Sequence, residues 1–151
     1  MSNTKYSVFQ IADWFLAHEA MTPKKLQKLT YYAQGWGNAL LKRPIINTDF
    51  EAWVHGPVSY DLWKKYHSYG WTDIPKNKNY VNQINDASIE DLLESVWITY
   101  GDRSANELEA ITHQEFPWRN ARKNCKPDEK CKNLISNKDM EEFYLSIYNG
   151  D

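Results

Sequence analysis

The 151-residue chain reads as mainly α: a single compact helical domain of five to six helices with one small extended or β element. Three observations predict this. Apolar residues recur at i, i+3, i+4 and i+7 through most of the chain. Capping residues such as Thr22, Ser104 and Ser136 stand just ahead of those stretches. Only one clear stretch, Phe50 to His55, alternates with a period of two. No repeat, low-complexity run or linker divides the sequence, so residues 1–151 are expected to form one domain.

The first helix is expected from about Ser7 to His18, where Val8, Ile11, Ala12, Phe15 and Leu16 share a face. The second begins with Thr22 as N-cap and Pro23 at the first helical position. Its apolar residues Leu26, Leu29, Tyr32, Ala33, Trp36 and Leu40 cover a wide arc, which predicts a central helix buried on most sides. Gly35 and Gly37 weaken it by roughly 1 kcal/mol each, which makes sense if another element crosses there closely. In the extended segment, Phe50, Ala52 and Val54 alternate with Glu51, Trp53 and His55 and end at Gly56-Pro57. Glycine tolerates backbone angles that Cβ penalises and proline fixes the next φ, so the pair should turn the chain from strand into helix.

That next helix runs from about Ser59 to Ser68, with Leu62, Trp63 and Tyr66 on one face and Gly70 near its end. Trp71 to Asp86 reads as a polar loop with at most one short strand. Ser88 opens a helix with the stripe Ile89, Leu92, Leu93, Val96, Trp97, Tyr100, ended by Gly101. Ser104 and Glu107 form a capping box for the helix of Leu108, Ile111 and Thr112. Phe116 precedes Pro117, a position disfavoured in αR, so the helix stops there and a short one resumes over Pro117 to Lys123. Ser136 caps a terminal helix with Met140, Phe143, Tyr144 and Ile147 on one side.

Composition narrows the function. A net charge of −2 offers no bulk attraction to nucleic acid or to an anionic membrane. No apolar run reaches transmembrane length and no signal peptide opens the chain, so a cytoplasmic location is expected, with no membrane partner. There Cys125 and Cys131, separated by "KPDEK", should stay reduced as two ordinary loop thiols, since the spacing fits no usual zinc pair. Aromatic residues make up 15% of the chain, more than a small core needs, so some rings should serve a protein–protein contact.

The chemistry-bearing candidates are few. His55 in "VHGP" and His113 in "THQE", near Asp61 and Glu115 in sequence, would be the acid–base pair of a small hydrolase or transferase. No strained nucleophile, metal-binding motif, phosphate loop or dinucleotide glycine pattern accompanies them. They are therefore read as hydrogen-bonded structural groups of the turn with Gly56 and Pro57; no catalytic residue, metal or cofactor is expected. A DNA-binding regulator would need a cationic recognition helix, and only Lys24, Lys25 and Lys28 come close.

Three blocks carry a further signal: "TPKKLQKLTYYAQGW" (Thr22–Trp36), "EAWVHGPVSYDLWKKY" (Glu51–Tyr66) and "ELEAITHQEFPWRNAR" (Glu107–Arg122). In order and spacing they resemble the signature blocks of the Panacea antitoxin domain, the SocA-like family often described as phage-associated. The segment after Lys123 aligns to nothing in that pattern. The resemblance implies a helical, non-enzymatic antitoxin that neutralises a protein toxin encoded beside it, usually by direct binding. One branch acts as a proteolytic adaptor that hands its toxin to a ClpXP-type protease. Rings held by a rigid turn lose little entropy on binding, so the partner surface is expected on Trp53, Tyr60, Trp63 and, from the "FPW" corner, Trp118.

Overall fold

The computed structural model describes residues 4–150. It is mainly α, with one small sheet. The helices are α1 (Val8–Leu16), α2 (Pro23–Leu40), α3 (Tyr60–Tyr66), α4 (Ala87–Tyr100), α5 (Ala105–Gln114), α6 (Phe116–Ala121) and α7 (Asn137–Tyr148). Strands β1 (Glu51–Trp53) and β2 (Gly56–Val58) pair antiparallel, with Ala52 opposite Pro57. The described residues hold seven α-helices, one more than the five to six expected, and the short α6 falls where a brief helix was expected after Phe116.

Local chemistry sets most boundaries. Ser7 and Gln10 form a capping box on α1, Thr22 and Pro23 open α2, Ser104 and Glu107 box α5, and Ser136 caps α7. Two boundaries differ from expectation. Asp86, not Ser88, caps α4, because its carboxylate reaches the amides of both Ser88 and Ile89. The break after α5 falls on Glu115 (φ −95°, ψ 143°), and Phe116 is already helical. Pro117 sits in the first turn of α6, where a missing N–H costs nothing. Trp71 to Asp86 holds no strand, only a bridge between Ile74 and Met21.

Helix α2 occupies the centre and packs on α1, α3, α4, α5, α7 and β2. Its two glycines mark close crossings. A Cβ on Gly35 would lie 2.6 Å from the Tyr144 ring of α7, and one on Gly37 would lie 3.0 Å from Ile45. The aliphatic and aromatic core, from Ile11 and Phe15 through Leu26, Leu29, Leu93 and Leu108 to Tyr144, is continuous around this helix.

Within that core lies a polar knot. The Tyr32 and Tyr144 hydroxyls donate to Glu115 Oε1 at 3.0 and 2.8 Å, and Tyr144 also meets the Tyr31 hydroxyl at 3.1 Å. Tyr100 stacks on Tyr32 at 4.0 Å and accepts from Trp36 Nε1 at 3.0 Å. Glu115 is 8% exposed. Burial raises its pKa to about 7 from 4.5, against the two tyrosine hydrogen bonds that favour the anion.

A carboxyl whose folded pKa lies above its unfolded value contributes its stability below the unfolded pKa. That contribution is lost as pH climbs through the folded pKa. Here the window runs from 4.5 to about 7. Glu115→Gln keeps an acceptor for the tyrosines and removes the titration. Denaturant unfolding at pH 5 and pH 8 should show the variant gaining on the natural protein by on the order of 1–3 kcal/mol at the higher pH. Parallel stability curves would refute it.

Candidate functional site

The site is built around the β1–β2 hairpin. Its reversal lies at Val54 and His55, one residue pair earlier than the sequence suggested. Gly56 and Pro57 do not carry the chain from strand into helix. They form β2 opposite Trp53 and Ala52, and Ser59 then caps α3. Pro57 is tolerated because its missing N–H falls in a short two-stranded sheet. Gly56 has φ +110°, the only region where its lack of a Cβ is needed on conformational grounds. A Cβ there would also lie 2.6 Å from Lys28 Cε and 3.1 Å from Thr112 Oγ1.

Helix α2 grips the hairpin from beneath. Gln27 accepts from Ser59 N (2.8 Å) and donates to Ser59 O (2.9 Å), pairing with the backbone as a strand would. Lys28, 1% exposed, donates to Pro57 O at 3.3 Å. Burial and then the like charge of Lys24 push its pKa down to about 7, against the attraction of Glu109. On the other side, Arg122 Nη1 donates to Ala52 O at 2.7 Å, and Trp118 Nε1 donates to Trp53 O at 2.8 Å.

The two histidines do meet, through a carboxylate that sequence proximity did not suggest. His55 Nδ1 lies 3.3 Å from Glu109 Oε2, and His113 Nε2 lies 3.9 Å from the same oxygen. Lys24 forms an ion pair with the other oxygen. Burial works against the charge on Glu109, but hydrogen bonds and charge from Lys24 and His55 prevail and hold its pKa below the usual value. Burial lowers the pKa of His113, which hydrogen-bonds the Val54 backbone and stacks on Trp118 at 4.2 Å. His113 sits on α5 rather than in the turn. Asp61 pairs instead with Lys64, and Glu115 belongs to the tyrosine knot. The helical spacing of Glu109 and His113 was the available signal for this cluster; its link to His55 is made only by the fold.

Two grooves flank the hairpin and share His55. One, of about 420 Å³, is lined by His55, Glu109, His113, Trp118, Arg122 and Cys125 among others. The other, of about 410 Å³, is more aromatic and includes Trp53, Val58, Leu62, Trp63, His67 and Trp71. From its lining a ladder of rings runs outward to Tyr60. Trp53 lies 5.7 Å from Trp63, Trp63 stacks on His67 at 4.3 Å, and Tyr60 stacks on Trp63 at 5.8 Å. Trp63 and Tyr60 are 36% and 43% exposed, while Leu62 alone of α3 is buried.

The fold therefore brings Trp53, Tyr60 and Trp63 together and sets Trp118 apart. The Trp118 ring is half-buried between His113 and the Arg122 guanidinium, in the first groove. Trp71, read from sequence as part of a polar loop, stands 89% exposed at the rim of the aromatic groove. Of the three lysines that a DNA-reading helix would need, Lys28 is buried, Lys25 donates to Gly101 O, and Lys24 is paired with Glu109. Among the described residues no group of three or more His, Cys, Asp or Glu is gathered to hold a metal ion. Nor is any helix long and apolar enough to cross a membrane.

The clash and the φ at Gly56 make a direct test. Gly56→Val should cost on the order of 3 kcal/mol and lower the melting temperature and soluble yield. An unchanged melting temperature would mean that the hairpin shifts freely over Lys28.

Comparison with known proteins gives a consistent result. No solved structure matches the chain. Over 104 residues, 62% of this chain and 55% of the other, it is 33% identical to Antitoxin SocA of Caulobacter vibrioides (strain NA1000 / CB15N). The chain thus spans about half the length of that curated relative. The family model "Antitoxin SocA-like, Panacea domain" matches residues 26–119, which run from the core of α2 through the hairpin and the Glu109 cluster into α6. The chain belongs to the SocA-like antitoxin family, defined by its Panacea domain.

Proposed function

We propose that this protein is the antitoxin of a toxin–antitoxin pair and neutralises a protein toxin encoded nearby by binding it directly. The contact face is the ladder of Trp53, Trp63 and Tyr60, the first two lining the aromatic groove and Tyr60 stacked on Trp63 beside it. The observation that carries the reading is the ring ladder itself. Three aromatic side chains stand partly exposed on a hairpin and a capped helix that are both anchored to α2. Rings held in place lose little entropy on binding, and a buried Trp or Tyr at an interface centre typically contributes 2 kcal/mol or more. Trp71 extends the face at its rim. Trp118 supports the face from behind by holding the Trp53 carbonyl.

In this reading the protein is not an enzyme and acts in the cytoplasm without a cofactor. The His55–Glu109–His113 cluster fixes the hairpin to α5. The α2 lysines, engaged with intramolecular partners, leave nucleic acid without a recognition helix. Delivery of the bound toxin to a ClpXP-type protease would be a later step, using a surface other than the ladder. It would be seen as faster loss of the toxin when both protein and protease are present.

Trp53→Ala, Tyr60→Ala and Trp63→Ala should each weaken toxin binding roughly ten- to a hundredfold by calorimetry, with folding intact by circular dichroism. Trp118→Ala should instead lower stability. If the three ladder variants fold and bind as the natural protein does, the surface lies elsewhere.

A separate pair of variants addresses catalysis. His55→Gln and His113→Gln should keep most of the neutralising activity, because a glutamine can retain hydrogen bonds but cannot move a proton. Loss of neutralisation in both, with toxin binding intact, would favour a histidine-dependent enzyme.

A further inference from the structure

Cys125 and Cys131 lie in the segment between α6 and α7, beyond the family-matched residues, and their thiols are in direct contact. Two loop thiols six residues apart need not meet. Here Arg122 makes them do so. Its Nη2 donates to Lys126 O at 2.9 Å and to Glu129 O at 2.7 Å, so the chain curls back around the guanidinium. Asn133 ties the returning segment to Ala121 O at 3.0 Å. Cys131 is 6% exposed, whereas Cys125 is part-exposed and lines the groove beside His113 and Trp118.

We propose that Cys125 and Cys131 are a site of reversible modification: they close an intramolecular disulfide by exchange with a low-molecular-weight disulfide, and the bond locks the 123–133 wall of the groove. The Cys125 thiolate attacks one sulfur of oxidised glutathione, forming a mixed disulfide and expelling a glutathione thiolate that takes up a proton. Cys131 then loses its proton and attacks Cys125 Sγ, which breaks the mixed disulfide and releases the second glutathione. The protein gives up two electrons and two protons, and the oxidant becomes two glutathione thiols. Arg122 has already curled the loop so that the two sulfurs touch, which sets the second thiol beside its target. The hydrogen bond with Cys131 and then burial raise the pKa of Cys125, so the thiolate is scarce near neutrality and exchange should speed up with rising pH.

The experiment uses the full chain, reduced and then incubated in a millimolar mixture of reduced and oxidised glutathione. Thiols are counted by a colorimetric reagent and products weighed by mass spectrometry. Both thiols should disappear together, giving a species lighter by two hydrogens. That species should exceed the glutathione adduct by about tenfold, because a thiol held in place has an effective concentration above millimolar. Dithiothreitol should restore both thiols. Cys131→Ser should stop at the mixed disulfide on Cys125. Amide hydrogen exchange over residues 123–133 should slow by about tenfold in the oxidised form. Two thiols that still titrate, or an adduct that accumulates in the natural protein, would overturn the site. A Cys125 that fails to react in Cys131→Ser would overturn the assigned order, and unchanged amide exchange would overturn the lock.

Discussion

A helix enclosed by neighbours on every side cannot confine its polar groups to a wet face, and α2 is such a helix. Gln27, Lys28, Thr30, Gln34 and Asn38 are all buried on it. A buried polar group without a partner costs on the order of 1–3 kcal/mol, so each has to find one. Gln34 accepts from the amides of Ile45 and Ile46, both at 3.0 Å, and donates to Ile46 O. Gln27 does the same for Ser59. The loops on either side of the hairpin are therefore fastened to the central helix by amide side chains that stand in for a neighbouring strand. The position of the hairpin follows from these pairings.

Two buried ionisable groups sit at the joints of this arrangement, and each marks a place where the chain changes direction. Lys28 lies beneath Gly56 and holds the Pro57 carbonyl. Glu115 separates α5 from α6 and turns its carboxyl inward to two tyrosine hydroxyls. Their pKa values are pushed toward each other, both to about 7, because burial disfavours the ammonium and the carboxylate alike. The change of direction at Glu115 also carries Trp118 under the hairpin, where it takes the Trp53 carbonyl. The tyrosine knot and the surface ring ladder are thus linked through one short helix.

The aromatic surplus divides accordingly. Tyr31, Tyr32, Phe15, Phe50 and Tyr144 are fully enclosed, and their edge-to-face contacts fill the space around α2. Trp53, Trp63 and Trp71 line the second groove instead, with Tyr60 stacked on Trp63 beside it. The loop around Arg122 borders the first groove, and the same guanidinium reaches Ala52 O in β1. One side chain thus bridges that loop to the residue next to Trp53.

What the sequence determined by itself was local. Caps at Thr22, Ser104 and Ser136 and the 3.6-residue apolar stripes placed the longer helices, since these signals act within a turn of the chain. The close crossings at Gly35 and Gly37 were legible because a small residue inside a buried helix has few other uses. The aromatic blocks around Glu51 to Tyr66 marked the candidate surface and the family. Tertiary structure decided everything that depends on distant segments. The second strand was hidden because Gly56 and Pro57 have poor intrinsic strand preference, and pairing with β1, Lys28 on the Pro57 carbonyl and Gln27 on Ser59 hold them there. The meeting of His55 with Glu109, the separation of Trp118 from the ladder, and the contact of Cys125 with Cys131 are likewise set by side chains that reach across the fold. Such contacts leave no periodicity in the chain, because they are fixed by the packing of α2 against its neighbours rather than by the spacing of residues along it.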